Sequence, residues 1–286
     1  MKINLISFDS FSVRSTFTIV KTDLNIFIDP SVAIAPKRYG LNPSKKEIEE
    51  LKKIKSFIIN NYKKADLFVI THYHWDHCPS PDSEHFGLFK SDKKFFIKDY
   101  KNTNKSQELR AKRVVKKAKE INKNFKFEKA DNKKLEIGNT LIRFTKPLWH
   151  GPKNSLLGKV IGVYIEYKES SFLFASDIQG IIPKETLKEL IEFNPKILVM
   201  SGPATYHYKW DKMLTKKSNE NIKSFIEKTD VEKIVLDHHL LRDLKYKEKI
   251  KDVLKFAKEF DVKILTAAEF EGKKILQLEA NRKFLV

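Results

Sequence analysis

The most constraining stretch of this sequence is THYHWDH at 71–77, which directly follows the apolar run LFVI at 67–70. Such a run is typical of a short buried strand. Side chains two positions apart on an extended backbone point the same way, so His72 and His74 can reach one metal ion together. Where the backbone then turns, Asp76 and His77 can reach a second ion. Imidazole suits zinc, iron or nickel, and a carboxylate extends the choice to manganese.

This stretch, placed between a strand and a turn, resembles the metallo-β-lactamase superfamily, and the resemblance covers nearly the whole chain. Two further segments, DSFSVRS at 9–15 and DPSVAIAPKRYG at 29–40, are most similar to an archaeal group of predicted metal-dependent hydrolases, which brings no substrate assignment with it. The implied fold is α/β, a four-layer αββα sandwich of two mixed β-sheets packed face to face with helices outside. Two series of strands and helices agree with that architecture, as a single domain over residues 1–286.

The resemblance also implies the remaining ligands of a dinuclear metal site. His150 matches the third motif of the superfamily, and Asp177 matches the fourth, a carboxylate that bridges both ions. The fifth motif is a histidine just past a strand, and strand alignment favours His238 over His239. The histidine that is not a ligand could instead donate a proton or bind substrate. The implied set is His72, His74 and His150 on the first ion, Asp76, His77 and His238 on the second, and Asp177 between them. Asp29 either supports the histidine loop from behind or merely caps its strand.

These residues predict a dinuclear metal-dependent hydrolase that uses a metal-bound hydroxide. Two divalent ions about 3.5–4 Å apart can share a hydroxide and clamp substrate oxygens. Asp76, which could orient the water, and Asp177 are the predicted catalytic residues. We expect Zn²⁺, with Mn²⁺ and Fe²⁺ as alternatives. Tyr206 and His207, in the loop after an apolar run at 197–200, are candidates for substrate contact, although a structural aromatic loop would look the same.

Two other functions fit the same sequence. One is a non-haem iron redox enzyme of the same fold, and the other is a non-enzymatic scaffold that binds nucleic acid through a basic surface. The formal net charge is +19, from 56 lysines and arginines against 37 aspartates and glutamates. That field favours an anionic partner, such as a small-molecule or phosphodiester substrate or a nucleic acid. The predicted helix over 105–123 has a basic face, but it lacks the interleaved aromatic residues that stack on single strands, so a solvated face is preferred.

Sequence composition indicates the cellular compartment in which we expect the protein. No apolar run approaches the ~18 residues needed to span a membrane, and the first residues alternate like a strand rather than a signal peptide. Cys78 is the single cysteine, which excludes an intramolecular disulfide and fits a reducing compartment. The expected location is the cytoplasm. Next to His77, Cys78 is interpreted as a small packed residue, with a soft ligand or a reactive thiol as alternatives.

Local patterns predict most elements of the chain. Strands are expected over 2–8, 16–20, 24–28, 160–166, 171–175, 234–236 and 262–266, with a hairpin at 135–144. Ser44 and Glu47 form a capping-box pattern that begins a helix, with Ile48 among its predicted buried residues. Leu109 is placed on the buried face of the helix over 105–123. Residues 187–191, 218–228 and 246–260 are also predicted helices, the tail at 276–285 is expected to pack on the core, and His85 is interpreted as a solvated loop residue.

Overall fold

The computed structural model describes residues 1–175 and 177–285. The first sheet follows chain order, with antiparallel pairing at its first two junctions and parallel pairing at the other three. Its strands are β1 (Lys2–Phe8), β2 (Thr16–Lys21), β3 (Asn25–Ile28), β4 (Leu67–Ile70), β5 (Lys94–Ile97) and β6 (Phe127–Lys129). The predicted strand pair and the apolar strand before the histidines are therefore both present.

The second sheet has seven strands. They are β7 (Lys134–Ile137), β8 (Thr140–Phe144), β11 (Val163–Tyr167), β12 (Ser170–Phe174), β13 (Ile197–Ser201), β14 (Lys233–Asp237) and β15 (Lys263–Leu265). Their order in the sheet is β15-β14-β13-β12-β11-β8-β7, parallel from β15 to β12 and antiparallel beyond. A separate two-stranded ribbon pairs β9 (Leu148–Trp149) with β10 (Lys159–Val160). The predicted hairpin is confirmed, since β7 and β8 pair across Gly138 and Asn139.

Seven α-helices are assigned among the described residues. They are α1 (Lys45–Asn61), α2 (Lys105–Ile121), α3 (Lys184–Phe193), α4 (Lys212–Glu227), α5 (Tyr246–Lys249), α6 (Lys251–Glu259) and α7 (Ala267–Phe270). The capping box of α1 is present, with Ser44 and Glu47 satisfying each other's backbone amides. In the described part of the chain, no helix has the length and hydropathy to cross a bilayer.

Alternating side chains divide the interior into three apolar layers. Leu67 and Val69 of β4 face the second sheet, where they meet residues such as Phe172 and Val199, whereas Phe68 faces the helices. Helices α1 and α2 cover the outer face of the first sheet, and α3, α4 and α6 cover that of the second. This arrangement is the predicted four-layer αββα sandwich.

Several local predictions were wrong in detail. Ile48 and Leu109 are exposed at 42% and 52% instead of facing the core. The long helix predicted over 246–260 is broken at Ile250 into α5 and α6. His85 lies buried in a 3₁₀ helix, Glu84–Lys90, instead of in solvent. The tail does pack back on the core, because Arg282 is buried and its guanidinium forms an ion pair with Glu47.

The parallel strands bring the chemistry-bearing loops to one edge of the sandwich. Asp29 follows β3, residues 71–77 follow β4, and β3 and β4 are paired in parallel. In the second sheet, Asp177 follows β12 and His238 follows β14, which flank β13 in parallel pairing. Because the carboxyl ends of parallel strands meet at the same edge, the predicted ligands converge there.

Candidate metal centre

Imidazole rings surround the carboxylate of Asp177. Its Oδ2 lies 3.0 Å from Nε2 of His150, 3.5 Å from Nε2 of His77, 3.6 Å from Nε2 of His238 and 3.8 Å from Nε2 of His72. All five side chains are buried. Asp177 therefore has the central position that the sequence predicts for a bridging carboxylate.

The residues predicted for the first ion form one compact group. Ligand atoms of His72, His74, His150 and Asp177 all lie within 4.8 Å of one another. Nε2 of His72 and Nδ1 of His74 are 3.2 Å apart, as expected for side chains two positions apart beyond a strand. Both ring nitrogens of His150 are buried; Nδ1 makes no hydrogen bond to another described residue, and Nε2 has only the 3.0 Å contact with Asp177 Oδ2. A divalent ion would satisfy such a nitrogen, so these residues fit a metal.

The residues predicted for the second ion form a second group. Ligand atoms of Asp76, His77 and His238 lie within 4.8 Å of one another, and Asp76 Oδ2 is 3.4 Å from His238 Nε2. His77 Nε2 is another buried nitrogen without a hydrogen bond to a described residue. This donor set also fits a divalent ion, and it shares Asp177 with the first group through the contacts given above.

This geometry distinguishes the two adjacent histidines, His238 and His239, by the groups that their rings contact. His238 lies beside Asp76, whereas Nε2 of His239 lies 3.1 Å from Asp177 and 3.3 Å from the side-chain nitrogen of Gln179. Both rings can face Asp177 because His238 has a left-handed backbone, with φ of +53°. The buried Asp237 carboxylate stabilises this turn by accepting hydrogen bonds from the amides of His238, at 2.7 Å, and of Ala267, at 2.8 Å.

Carboxylates lie behind two of the rings. Nδ1 of His77 is 2.8 Å from Asp29 Oδ2, and Nδ1 of His238 is 2.6 Å from Asp9 Oδ2. Asp29 also accepts hydrogen bonds from the amide and hydroxyl of Thr71. Each carboxylate fixes a ring so that Nε2 faces the cluster. Of the two roles considered for Asp29, the structure agrees with support of the histidine loop.

The electrostatics of the cluster favour a cation. Burial raises the pKa of Asp177, but the neighbouring His239, His150 and His238 hold it well below its usual value. Burial lowers the pKa of His77, but Asp76, Asp177 and Asp29 raise it to about 9 overall. The carboxylates therefore attract positive charge to the second group, whether it is carried by protons or by a bound ion.

The predicted substrate-contact residues lie on the open side of this cluster. Tyr206 stacks on His239, with ring centroids 6.0 Å apart and planes within 8°. His207 is exposed, and Nδ1 of its ring accepts a hydrogen bond from the amide of Lys209. Tyr206 and His207 both line a cavity of about 910 Å³ that opens onto His74, Asp76, His150, Asp177 and His239.

Sequence reasoning missed two residues of this site, Asp9 and Arg242. Nε of the buried Arg242 donates a 2.7 Å hydrogen bond to Asp9 Oδ1. Asp9 directly follows β1 as Asp29 follows β3, a repeated pattern that could have indicated its role. Arg242 follows His239 by three positions in the 3₁₀ helix His238–Arg242, and such a spacing places two side chains on the same side.

His85 and Cys78 lie near the histidine loop, and their surroundings indicate structural roles. His85 Nε2 lies 3.1 Å from the hydroxyl of Ser31, which donates a hydrogen bond to the carbonyl of Trp75 in the histidine loop. Burial, with Lys55 nearby, lowers the pKa of His85 to about 4. Cys78 is buried in the apolar layer under α1 and α2, and burial raises the pKa of its thiol. It belongs to none of the ligand groups among the described residues, which agrees with the packed interpretation.

Comparison with known proteins identifies the family of the chain. It is 39% identical over 289 residues to a UPF0282 protein of Korarchaeum cryptofilum, covering 100% of this chain and 94% of the relative. The chain belongs to the UPF0282 family. A second UPF0282 protein, from Methanocaldococcus jannaschii, is 40% identical over 297 residues, with 99% and 96% covered. No protein-family model matches the sequence. The predicted archaeal group is confirmed.

Solved structures similar to this UPF0282 protein share its fold. The metallo-β-lactamase fold protein YhfI from Bacillus subtilis matches with a TM-score of 0.54 at 12% identity, covering 92% of this chain and 95% of that one. Tm1679, a metal-dependent hydrolase of the β-lactamase superfamily, matches with a TM-score of 0.52 at 16% identity, with 92% and 94% covered. Yeast PDE1 matches with a TM-score of 0.52 at 13% identity, with 92% and 96% covered. The metallo-β-lactamase fold is therefore confirmed.

Proposed function

We propose that this UPF0282 protein is a dinuclear metal-dependent hydrolase of ester-type anionic substrates, phosphodiesters among them, and that residues 1–286 act as one domain. The observation that carries this proposal is the set of four imidazole Nε2 atoms within 3.8 Å of one oxygen of Asp177. Two of these rings have a carboxylate on their other nitrogen. Metal-ligating histidines characteristically have a carboxylate, a carbonyl or a water on their other ring nitrogen, so this arrangement is typical of metal ligands.

The proposed ligands divide into two sets around one shared carboxylate. The first set is His72, His74 and His150, the second is Asp76, His77 and His238, and Asp177 is common to both. We propose Zn²⁺ as the ion. When bound, the two ions would lower the pKa of a shared water and polarise the scissile bond of the substrate.

Two residues of the chain have proposed roles toward the substrate. The Asp76 carboxylate lines the cavity and can accept a hydrogen bond from the attacking water, which orients it. His239 also lines the cavity, where Tyr206 stacks on its ring and Gln179 contacts its Nε2. That ring can therefore hydrogen-bond a substrate oxygen from a fixed position.

The cavity supports an anionic substrate. Among its described lining residues the carboxylates are the proposed ligands Asp76 and Asp177, and the cations are Arg14, Arg110, Lys153, Lys209 and Arg242. Arg14 and Arg242 are paired with Glu279 and Asp9. Arg110 and Lys209 have no ion-pair partner among the described residues, and Lys153 has only a solvent-exposed 4.0 Å contact with Glu185, so these three supply the positive charge near the mouth. Apolar and aromatic neighbours, including Trp75, Trp210 and Leu156, favour a substrate that also has an apolar or aromatic group.

Metal content and hydrolysis together test the proposal. Protein purified without added metal should contain about two divalent ions per chain by elemental analysis. It should hydrolyse bis(4-nitrophenyl) phosphate, an anionic diester, in preference to neutral 4-nitrophenyl acetate, which has the same leaving group. Asp177→Ala should lose both metal and activity, whereas Asp230→Ala, at an exposed aspartate, should lose neither.

Two outcomes would contradict the proposal. Full metal content and activity in Asp177→Ala would refute the bridging role. Iron as the predominant metal, with a redox-active absorption spectrum, would favour the redox alternative instead of a hydrolase.

A further inference from the structure

The guanidinium of Arg110 lies at the mouth of the cavity, where it makes no hydrogen bond and no ion pair with another described residue. Its Cζ lies over the indole of Trp75, 5.0 Å from the ring centroid. The other two arginines that line the cavity, Arg14 and Arg242, are each paired with a carboxylate. Among the described lining residues, Arg110 is therefore the arginine whose charge is not neutralised by the protein.

The packing of helix α2 places Arg110 in this position. Gln107 is buried one turn earlier, where its Oε1 accepts a 3.1 Å hydrogen bond from the Tyr73 amide and its Nε2 donates a 2.5 Å hydrogen bond to the Leu157 carbonyl. Residues three apart lie on the same side of a helix, so this contact with the histidine loop also brings Arg110 against the loop. Stacking on Trp75 occupies the flat face of the guanidinium and leaves the N–H donors at its edge free.

Trp75 fixes this cation relative to the proposed metal centre. It lies between the proposed ligands His74 and Asp76 in the chain, and its ring lines the same cavity as they do. Its carbonyl accepts a 2.6 Å hydrogen bond from the hydroxyl of Ser31, which holds the loop in place. A group that binds Arg110 while the scissile bond lies at the ligands must therefore be another part of the same substrate.

We propose that Arg110, stacked on Trp75, binds a second phosphate group of the substrate, separate from the bond that is hydrolysed. This inference rests on the proposed function, which places that bond at the ligands. A guanidinium with free edge donors binds phosphate through two parallel hydrogen bonds. Lys153 and Lys209 add positive charge at the same mouth, which favours a phosphate, with about two negative charges, over a carboxylate with one. Arg110 thereby determines specificity for esters that have a further phosphate.

Two nucleotide esters that differ by one phosphate test the proposal. Thymidine 5′-(4-nitrophenyl phosphate) and its 3′-phosphorylated derivative have the same scissile bond and the same leaving group. The metal-loaded chain should hydrolyse the 3′-phosphorylated ester with a kcat/KM at least roughly tenfold higher, mainly through a lower KM. Arg110→Gln should reduce this preference roughly tenfold, and Arg110→Lys, which keeps the charge but not the paired donors, should retain part of it.

Calorimetry with the matching products measures the same preference without hydrolysis. Thymidine 3′,5′-bisphosphate should bind the Zn²⁺-loaded chain at least roughly tenfold more tightly than thymidine 5′-phosphate does. Arg110→Gln should reduce this difference in affinity by about the same factor as it reduces the preference in kcat/KM.

Arg113→Gln is the matched control. Arg113 lies one turn further along α2, is exposed, and pairs with Asp82 at 3.3 Å without lining the cavity. Its replacement removes the same charge from the same helix, so it should leave both preferences unchanged. If the general positive field of the surface attracted the second phosphate, Arg113→Gln and Arg110→Gln would lower the preferences equally, and the inference would be wrong.

The two assays separate the inference from the proposed function. Equal kcat/KM for the two esters and equal affinity for the two products would overturn the inference and leave the hydrolase proposal intact. Tighter, Arg110-dependent binding of the bisphosphate without hydrolysis of either ester would refute the hydrolase proposal and support the phosphate-binding role of Arg110. If Arg110→Gln fails to fold by circular dichroism, Arg110→Lys and the two preferences of the unsubstituted chain decide the question.

Discussion

The carboxylate of Asp29 allows a quantitative test of how the histidine loop is held. It is fully buried and accepts three hydrogen bonds, from the Thr71 amide at 2.8 Å, the Thr71 hydroxyl at 2.6 Å and His77 Nδ1 at 2.8 Å. Asp29→Asn preserves its shape but replaces one acceptor oxygen with a donor NH₂ group. In either orientation of the amide, this NH₂ group meets a group that now donates.

The two orientations have different costs. If the NH₂ group faces the Thr71 amide, two buried donors oppose each other. If it faces His77, the ring must change tautomer so that Nδ1 accepts, and the proton then occupies Nε2, which is the proposed ligand atom. Hydrogen bonds to charged groups contribute about 1.5–3 kcal/mol each, and an unsatisfied buried donor costs about 1–3 kcal/mol. We therefore expect Asp29→Asn to lower the unfolding free energy by about 3–5 kcal/mol and the metal affinity by about 10–100-fold.

Urea unfolding in the presence of a chelator measures the first quantity, and competition with a chromophoric chelator measures the second. Asp66→Asn is the matched control, because Asp66 directly precedes β4 and accepts a 2.8 Å hydrogen bond from the Asn25 amide on the surface. The control should change the unfolding free energy by no more than about 1 kcal/mol and leave the metal affinity unchanged. A loss below about 1 kcal/mol in Asp29→Asn, with unchanged metal affinity, would refute the argument that this carboxylate orients His77.

Two other predictions concern histidines near the site. Burial lowers the pKa of His85 from 6.5 to about 4 in the folded chain. Between these two pH values the unfolded chain binds more protons than the folded chain. The unfolding free energy should therefore be highest above pH 6.5 and should fall by on the order of 3 kcal/mol toward pH 4. The difference in unfolding free energy between pH 7 and pH 4.5, measured with urea, should be smaller in His85→Gln than in the unsubstituted chain. An equal difference would show that His85 does not cause this pH dependence. For the doublet, His238→Ala should reduce the number of bound ions more than His239→Ala in elemental analysis; the reverse order would exchange their roles.

The features of this fold that are predicted well from the sequence are those that residues close together in the chain determine. The capping box at Ser44 and Glu47 and the spacing of His72 and His74 are local features, and the structure contains them as predicted. The predictions of the four-layer architecture and of His150 and Asp177 as ligands came from resemblance to a family, because no local pattern identifies a lone histidine or aspartate as a ligand.

Helix faces were predicted less well, because distant contacts decide them. Glu47 points inward because Arg282, 235 positions later, pairs with it through contacts of 2.7 and 2.9 Å. That rotation of α1 leaves Ile48 exposed. In α2 the buried Gln107 bonds the Tyr73 amide and the Leu157 carbonyl, and the face that includes Leu109 is turned outward. A polar residue with the right partner can therefore take a core position that hydrophobic periodicity would assign to a leucine or isoleucine.

The histidine doublet and Arg242 show which features of the candidate site a ligand list predicted from sequence leaves out. Consecutive residues of a strand point to opposite faces, so alignment alone requires a choice between His238 and His239. The left-handed backbone of His238 removes that choice, since both rings face Asp177 and differ in what else they touch. The same short 3₁₀ helix then returns Arg242 to the cluster, where it contacts Asp9 from the opposite end of the chain. The cluster therefore depends on a contact between residues 233 positions apart, and the spacing of the predicted ligands along the chain does not reveal it.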